Sequence, residues 1–309
     1  MSRAVLRDEQ AQQAFQRDGF VRVPMLSQAE VDRLLASLKS LRPADDWAPD
    51  GSGPAQNSYH CSFLDSDRDY KREAFDLLSK TFADVLDRHL EDFRPLSANF
   101  YVKPTGRGRI PVHQNWPVLR SLEATSVTVW CPLVDVSAAN GTLHVIPGSH
   151  KLLPHIEGPG SLSYFSSFER ELDAYWEPLE ARAGEGFIFD DSIVHGSPEN
   201  ALPNHRVAVQ ITAIPAEEKP VFYFRADDRH FEMIDADREF YLEHDVQDLV
   251  ARHPDWPAGA TVESRNLQLG KDEFFRRLEA KRRGDALPGE AKVSLSRRIA
   301  RLFRLEPAS

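Results

Sequence analysis

The N-terminal part of the chain combines helical periodicity with one long polar stretch. Residues 8–18 predict a helix, and Ser27 with Glu30 forms a capping-box pattern before a second run of apolar positions at helical spacing. From about residue 69 to 91 apolar residues recur on one stripe, which predicts a longer helix. Residues 43–68 are rich in Pro, Asp, Ser and Gly and lack periodicity. They predict a loop, and loops of this length often act as lids.

From Leu96 to about Phe224 the apolar residues occur in short runs separated by clusters of Gly, Pro and Asn. Eight or nine short strands at this spacing predict a β-sandwich or β-barrel and not a fold of alternating strands and helices. The aromatic-rich insert at 154–176 is a second candidate lid. Helices are expected again at 236–251 and 271–283. The strands are predicted at 97–103, 110–116, 125–134, 142–146, 178–182, 186–190, 193–196, 205–214 and 220–225.

Composition narrows the class of protein without naming a function. A hydrophobic content of 41% and a charged content of 28% over 309 residues describe an ordinary globular protein. The net charge of −10 argues against nucleic-acid binding, which needs a basic surface. Two cysteines, Cys61 and Cys131, are too few for a disulfide framework and fit a reducing cytoplasm. No secretory signal is seen and no apolar run approaches the roughly 20 residues of a membrane span. We therefore expect a cytoplasmic protein.

Positive charge is concentrated near the C-terminus. Residues 276–304 contain ten Lys or Arg and three acidic residues, a local charge of +7. Apolar residues between Val293 and Leu305 could form one face of a helix. We expect residues 271–309 to form a basic helical extension packed on a single domain of residues 1–270. The alternative is a docking surface for an anionic partner, such as acidic lipid headgroups, a carrier protein or a neighbouring subunit.

Two histidines carry the candidate chemistry. His113 and His195 are 82 residues apart on separate predicted strands, and Asn115 follows the first by two positions. This is the spacing of a facial triad of two histidines and a carboxylate, which holds iron(II) and leaves coordination positions open. Ser197 shares a sheet face with His195, because strand side chains alternate with period two. Arg206, on the next predicted strand, has the planar guanidinium that suits a carboxylate.

Several motifs, in a fixed order, extend this pattern over about two-thirds of the chain. They are Phe15–Phe20, His113-Gln114-Asn115-Trp116-Pro117, Val129–Asp135, Asn140-Gly141-Thr142-Leu143 with Ile146–His150, Gly184–Asp190, Val194–Ser197 and Arg206. With these motifs the chain resembles the phytanoyl-CoA dioxygenase family of iron(II)- and 2-oxoglutarate-dependent oxygenases. The resemblance implies a mainly β fold, the double-stranded β-helix or jelly roll, with flanking α-helices and a metal at one mouth.

The resemblance also implies roles for individual residues. His113 and His195 match the iron-binding histidines, while Asn115 falls on the aspartate ligand of the family. Arg206 and Ser197 match the residues that hold the distal carboxylate of 2-oxoglutarate. The implied cofactors are Fe(II), 2-oxoglutarate and O2, and the implied reaction is hydroxylation of an aliphatic C–H bond in a small metabolite.

Two further predictions concern positive side chains. Lys103 precedes His113 by one strand and falls near a lysine often found close to the co-substrate in the family. Arg107, Arg109 and Arg120 flank the His113 strand, where they could attract an anionic substrate or be solvated surface residues.

The asparagine at position 115 leaves several hypotheses open. Its amide oxygen could coordinate iron in an active oxygenase with weaker metal binding, which is the main hypothesis. Another carboxylate, Asp191 or Glu123, could supply the missing charge, or the asparagine could be an engineered change. A halide could occupy the carboxylate position, although asparagine fills that space. Outside the oxygenases, the chain could be a non-catalytic binding or regulatory protein, or a metal-dependent isomerase or lyase.

Other conspicuous residues are expected to be structural. His144 and His150 belong to a turn of the family pattern and are not predicted ligands. Cys131 should be a packed small side chain. Asp190 and Asp191 are predicted to cap the turn before His195. Trp116 and Trp130 are predicted core or pocket-wall residues.

Overall fold

A computed structural model describes residues 3–42, 47, 59–153, 156–161, 163–264 and 269–285. Three helices precede most of the strands, at the positions that the periodicity predicts: α1 (Glu9–Asp18), α2 (Gln28–Leu41) and α3 (Arg68–His89). The capping box predicted for Ser27 and Glu30 is present at the start of α2. Most of the predicted first loop, 43–68, lies outside the described residues.

Thirteen strands are present in the described residues, and most of them are antiparallel neighbours in one of two main sheets. A six-stranded sheet has the order β1-β8-β5-β10-β3-β2, and a four-stranded sheet has the order β4-β9-β6-β7. The strands are β1 (Phe20–Pro24), β2 (His60–Cys61), β3 (Phe93–Lys103), β4 (Ile110–His113), β5 (Val127–Pro132), β6 (His144–Val145), β7 (Glu177–Pro178), β8 (Glu185–Asp190), β9 (His195–Ser197), β10 (Arg206–Pro215), β11 (Val221–Arg225), β12 (His230–Asp235) and β13 (Ala260–Glu263).

The two main sheets form a jelly roll, as the sequence predicted. From β3 to β10 the strands alternate between the two sheets in the order of a double-stranded β-helix, except that β6 and β7 are paired neighbours in the smaller sheet. The outer face of the larger sheet is covered by α2 and α3. Phe75 and Leu78 of α3 and Leu38 of α2 are buried in one cluster with Phe100 and Val209 of the sheet. This packing holds β3 and β10 on the outer face of the sheet and leaves their inner faces free to line a cavity.

A third, three-stranded sheet of β11, β12 and β13 was only partly predicted from the sequence. In β12 only Phe231 and Ile234 are buried and β13 is largely exposed, so neither shows a clear apolar pattern. The single helix predicted at 236–251 is two helices, α4 (Arg238–Glu243) and α5 (Val246–Ala251). The break occurs because the Asp245 side chain accepts hydrogen bonds from the first backbone N–H groups of α5 and starts a new helix there.

The helix predicted at 271–283 is present as α6 (Lys271–Arg282). Phe274 and Leu278 of α6 are fully buried, and they share a cluster with Val112 of β4 and with Phe165 and Phe168 of the predicted second lid. Residues 286–309, including the predicted apolar face between Val293 and Leu305, lie outside the described residues. Within the described part of the chain, no helix combines the length and apolarity that a membrane crossing requires.

Candidate functional site

A cavity of about 250 Å³ lies between the two main sheets. Five of the six residues predicted for the site line it: His113, Asn115, His195, Ser197 and Arg206. The sixth, Lys103, does not. Because the larger sheet contributes Arg206 and the smaller sheet contributes both histidines, the cavity exists only once the two sheets have packed together.

The two histidines lie side by side on adjacent strands of the smaller sheet. His113 at the end of β4 is paired in register with His195 at the start of β9, and their ring centroids are 4.1 Å apart. Nδ1 of His113 lies 2.8 Å from the Pro111 carbonyl oxygen, and Nδ1 of His195 lies 2.9 Å from the Ile193 carbonyl oxygen. Since a carbonyl only accepts, each Nδ1 carries the proton and each Nε2 carries the lone pair that a metal needs.

Burial supports the neutral form of the first histidine. It lowers the pKa of His113 below its ordinary value, while the hydrogen bond to the Pro111 carbonyl acts in the opposite direction. A neutral imidazole is the form that coordinates divalent iron. The pair therefore presents two imidazole nitrogens that could coordinate a metal, with the ring orientations fixed by hydrogen bonds to the backbone.

Asn115 is held from two sides, by Thr128 of β5 and by Asp191. Its Nδ2 donates to Thr128 Oγ1 and to Asp191 Oδ1, each at 2.9 Å, and Thr128 Oγ1 donates to Asp191 Oδ1 at 2.6 Å. Its backbone N–H also donates to the Asp191 carbonyl, at 2.9 Å. With both amide hydrogens in use, Oδ1 is the atom of this side chain that could coordinate a cation.

The structure bears on which carboxylate could replace the missing aspartate. Among the described residues, no three His, Cys, Asp or Glu side chains are grouped closely enough to hold a metal ion. Glu123 is exposed and does not line the cavity. Asp191 lines it, and burial raises the pKa of its carboxyl above the ordinary value, against the hydrogen bonds from Ser126, Thr128 and Asn115, which lower it. Asp191 is hydrogen-bonded to Asn115 and does not form such a group with the two histidines.

Asp190 and Asp191, both predicted to cap the turn before His195, have different hydrogen-bond partners. Asp190 caps it as expected, since its Oδ1 accepts from the Ser192 backbone N–H at 2.8 Å. Asp191 instead bonds to Thr128 and Asn115, a role that the sequence analysis missed. Because Asn115, Thr128 and Asp191 lie in separate segments of the chain, no local sequence pattern indicates this network.

Arg206 begins β10 and is buried at the inner end of the cavity. Its Nη2 donates to the Gly141 carbonyl at 3.2 Å and to Ser197 Oγ at 3.4 Å, and its guanidinium lies 5.8 Å from the Trp130 ring centre. Its Nε is buried and has no hydrogen-bond partner within the described residues. Burial lowers the pKa of Arg206 to about 10, which still leaves it cationic at neutral pH. A buried cation with an unused donor fits a carboxylate ligand.

Lys103 lies behind this pocket and not in its wall. It is paired with Arg206 in register across β3 and β10, and its Nζ donates to Ser197 Oγ and, at 2.8 Å, to the Pro198 carbonyl. Burial, together with the neighbouring Arg206, lowers the pKa of Lys103 to about 5. Lys103 thus holds Ser197 and the turn after β9, and in the structure it has no face on the cavity.

The three arginines expected near the His113 strand are on the surface. Arg109 forms an ion pair with Glu169, and Arg120 forms one with Asp235 at 2.6 Å. Arg107 is exposed as well, and none of the three lines the cavity. In this structure they match the alternative of solvated surface residues.

Other predicted structural residues occupy the positions expected of them. His144 and His150 lie outside the cavity lining, whereas Trp116 and Trp130 form part of its wall. Cys131 is fully buried, and burial raises the pKa of its thiol to about 12. Such a thiol is not a reactive nucleophile.

The remaining lining residues include several that the sequence analysis did not single out. Polar side chains alternate along the inner faces of β3 and β10, a period-two pattern that could have been found in the sequence. The described end of the first predicted lid, residues 59–64, also lines the cavity, but no described residue of 154–176 does. The lining residues missed are Tyr59, Cys61, Phe63, Leu64, Leu96, Ser97, Asn99, Tyr101, Ile110, Val118, Gln210, Thr212 and Tyr241.

A jelly roll whose cavity joins two strand-borne histidines to a buried arginine is typical of the iron- and 2-oxoglutarate-dependent oxygenase class. The sequence model of the phytanoyl-CoA dioxygenase (PhyH) family matches residues 15–208, and the chain belongs to this family. The family uses Fe(II), 2-oxoglutarate and O2. The resemblance and the fold predicted from the sequence are thereby confirmed.

Relatives match only part of the chain. A phytanoyl-CoA dioxygenase domain-containing protein 1 homologue of Dictyostelium discoideum is 28% identical over 123 residues, 37% of this chain and 44% of that protein. Phytanoyl-CoA dioxygenase 1 of Oryza sativa subsp. japonica is 26% identical over 132 residues, 39% and 44% of the two chains. The matched region thus spans less than half the length of these curated relatives. Among solved structures, the α-ketoglutarate-dependent carbocyclase SnoK of nogalamycin biosynthesis shares the fold, with a TM-score of 0.50 and 20% identity over 69% of this chain and 86% of its own.

Proposed function

We propose that this protein is an oxygenase that hydroxylates an aliphatic C–H bond, with iron(II) held by Nε2 of His113, Nε2 of His195 and Oδ1 of Asn115. The strongest support is the pairing of the two histidines. Their ring centroids are 4.1 Å apart, and both Nδ1 atoms are hydrogen-bonded to backbone carbonyls. When bound, iron(II) with 2-oxoglutarate supplies the oxidising chemistry. In the net reaction O2, 2-oxoglutarate and R–H give R–OH, succinate and CO2.

The chain's own residues bind and orient the co-substrate. Arg206 can donate two parallel hydrogen bonds to the distal carboxylate, and its buried Nε provides an unused donor for this purpose. Ser197 Oγ lies within reach of the same carboxylate, and Lys103 fixes its position from behind. Lys103 is thus proposed to position Ser197 and not to touch the co-substrate.

The lining of the cavity indicates the class of substrate. Part of its wall is apolar and includes Phe63, Leu64, Leu96, Val118 and Tyr241. Among the described residues, Arg206 is the only Lys or Arg that lines it, and that residue is assigned to the co-substrate. The volume of about 250 Å³ is below the roughly 300–1,000 Å³ of pockets for drug-sized ligands. We therefore propose that a small apolar group enters the cavity, and that an anionic group of the substrate would stay outside it.

The C-terminal part is proposed to belong to the same structural unit. Phe274 and Leu278 of α6 pack on β4, the strand that carries His113. This packing supports the prediction that the C-terminal extension is attached to the domain of residues 1–270, as far as the described residues 271–285 are concerned.

The proposed activity is tested by succinate formation. The purified protein is incubated with Fe(II), 2-oxoglutarate and O2, and succinate is quantified with each component omitted in turn. Succinate that requires all three components is expected, and His113→Ala should abolish it. His230→Ala, which changes an exposed strand histidine outside the cavity, serves as the matched control.

Other outcomes point to the alternative functions. Bound metal without any succinate would contradict the oxygenase proposal and favour a binding protein. Metal-dependent turnover of a substrate that needs neither O2 nor 2-oxoglutarate would favour an isomerase or lyase.

A further inference from the structure

We propose that Asp191 and Thr128 are positioning residues of the metal site, and that Asp191 supplies from behind Asn115 the negative charge that this ligand lacks. The inference rests on the proposed function, because it assumes that Asn115 Oδ1 coordinates the metal. In this arrangement the negative charge comes from Asp191, which contacts the proposed ligand Asn115 and does not itself contact the metal.

The first support is the geometry of a closed three-residue network. Asn115 Nδ2 lies 2.9 Å from both Thr128 Oγ1 and Asp191 Oδ1, and the latter two atoms are 2.6 Å apart. Thr128 is fully buried and Asp191 is 4% exposed, so water competes little for these bonds. Backbone hydrogen bonds from Asn115 to Asp191 and from Asp191 to Ser126 fix the same residues a second time.

The second support is the way in which this network selects the coordinating atom. An asparagine side chain can rotate by half a turn, which exchanges its oxygen and its nitrogen. An ionised carboxylate only accepts hydrogen bonds, so the nitrogen of Asn115 must face Asp191 and the oxygen must face away from it. The opposite orientation would place the amide oxygen of Asn115 against the carboxylate oxygen of Asp191 and remove one of the donors to this buried carboxylate, which is unfavourable.

The third support concerns charge. An amide ligand offsets less of the charge of a divalent ion than a carboxylate does. A carboxylate that accepts from the amide N–H polarises the amide and increases the negative charge on its oxygen, and this effect is strong where the local dielectric is low. Lys151 lies 3.8 Å from Asp190 in an ion pair, so the nearby buried Asp190 already has a cationic partner. Asp191 contacts the Asn115 side chain directly, at 2.9 Å.

The test compares variants that separate charge from hydrogen bonding. Asp191→Asn keeps an acceptor oxygen but removes the charge, whereas Thr128→Val removes the hydroxyl and keeps the charge. Asn115→Asp places two carboxylates where the Asn115–Asp191 contact is now 2.9 Å. The exchange variant Asn115→Asp/Asp191→Asn reverses the pair. Glu157→Gln alters a buried carboxyl outside the cavity lining and serves as the matched control.

The readout is the dissociation constant for Mn(II), which is measured by electron paramagnetic resonance without turnover. Relative to the unsubstituted protein, Asp191→Asn should bind Mn(II) about 10- to 100-fold more weakly, the usual effect of losing a partner of a metal ligand. Thr128→Val should also weaken binding, and Glu157→Gln should not. The exchange variant should bind at least as tightly as the unsubstituted protein and more tightly than Asn115→Asp alone.

Two different failures can be told apart. If the unsubstituted protein binds Mn(II) and Asp191→Asn binds it equally well, the inference is overturned and the proposed metal site stands. If the unsubstituted protein does not bind Mn(II), the proposed function itself fails. Circular dichroism checks folding, and should Asp191→Asn not fold, equal affinities of Asn115→Asp and the exchange variant would overturn the inference.

Discussion

At the scale of single residues, the site combines the proposed metal ligands, two imidazoles and an amide, with the buried cation of Arg206. The imidazoles and the amide carry no negative charge, whereas Arg206 is cationic and 2% exposed. In the proposed arrangement Asp191 lies beside Asn115, and the carboxylates of 2-oxoglutarate would bind the metal and Arg206. The charge of the co-substrate would then help to hold the metal.

Arg206→Lys tests this arrangement of charge. Lysine keeps the positive charge but cannot donate two parallel hydrogen bonds, so the affinity for 2-oxoglutarate should fall by about 10- to 100-fold, the equivalent of one charged hydrogen bond. Calorimetry with Mn(II) present measures it. The affinity for Mn(II) alone should not change, and an unchanged affinity for 2-oxoglutarate would place the co-substrate elsewhere.

At the scale of elements, the smaller sheet depends on structures outside the jelly roll. α6 and the turns at 163–176 cover the outside of β4 through the cluster around Phe274. Lys281 of α6 donates to the His150 carbonyl at 2.7 Å, which joins the helix to the loop after β6. Movement of α6 would therefore reach the strand that carries His113.

Phe274→Ala should destabilise the whole protein. Phe274 is fully buried, and truncation of such a side chain costs about 3–5 kcal/mol in the free energy of unfolding. Phe275→Ala, at the neighbouring and partly exposed position, should cost less. Urea unfolding measures both, and a loss below about 1 kcal/mol for Phe274→Ala would show that α6 is not part of the cooperative unit.

His150 should make the protein sensitive to acid. Burial lowers the pKa of His150 to about 4, whereas an unfolded histidine titrates near 6.5. Between these values the unfolded chain binds a proton that the folded protein does not, so stability is complete above about pH 6.5 and falls as the pH approaches 4. At pH 5 the loss is about 2 kcal/mol relative to neutral pH.

His150→Gln should remove this part of the acid sensitivity. Urea unfolding at pH 7 and pH 5 gives the free energy of unfolding for both proteins. The decrease from pH 7 to pH 5 should be about 2 kcal/mol larger in the unsubstituted protein. Equal decreases in the two proteins would contradict a neutral, buried His150.

At the scale of the whole molecule, the cavity joins both sheets, so ligands that fill it should stabilise the entire fold. A ligand at 100 times its dissociation constant adds about 2.7 kcal/mol to the free energy of unfolding. Mn(II) and 2-oxoglutarate together should therefore raise the Tm by several degrees. His113→Ala should remove the part of the shift that depends on Mn(II), and an equal shift in that variant would contradict the proposed ligand set.

Some of this arrangement could be predicted from sequence and some could not. The strand pattern and the motifs identified the jelly roll, and five of the six predicted site residues line one cavity. Lys103 lies on the same face of β3 as the cavity residues Asn99 and Tyr101, but its side chain packs against Gly108 and does not line the cavity. The network of Asn115, Thr128 and Asp191 depends on packing between segments far apart in the chain. The strands β12 and β13 were missed because their residues are mostly exposed and lack periodicity.

The most direct test of the account is an anaerobic titration of the protein with Fe(II) and 2-oxoglutarate, followed by visible spectroscopy. We expect the absorbance that 2-oxoglutarate gains when it chelates Fe(II), and its loss in His113→Ala. On admission of O2 the absorbance should decay as succinate forms. If no absorbance appears in the unsubstituted protein but it appears in Asn115→Asp, the native site does not support the proposed chemistry, and a binding function takes its place.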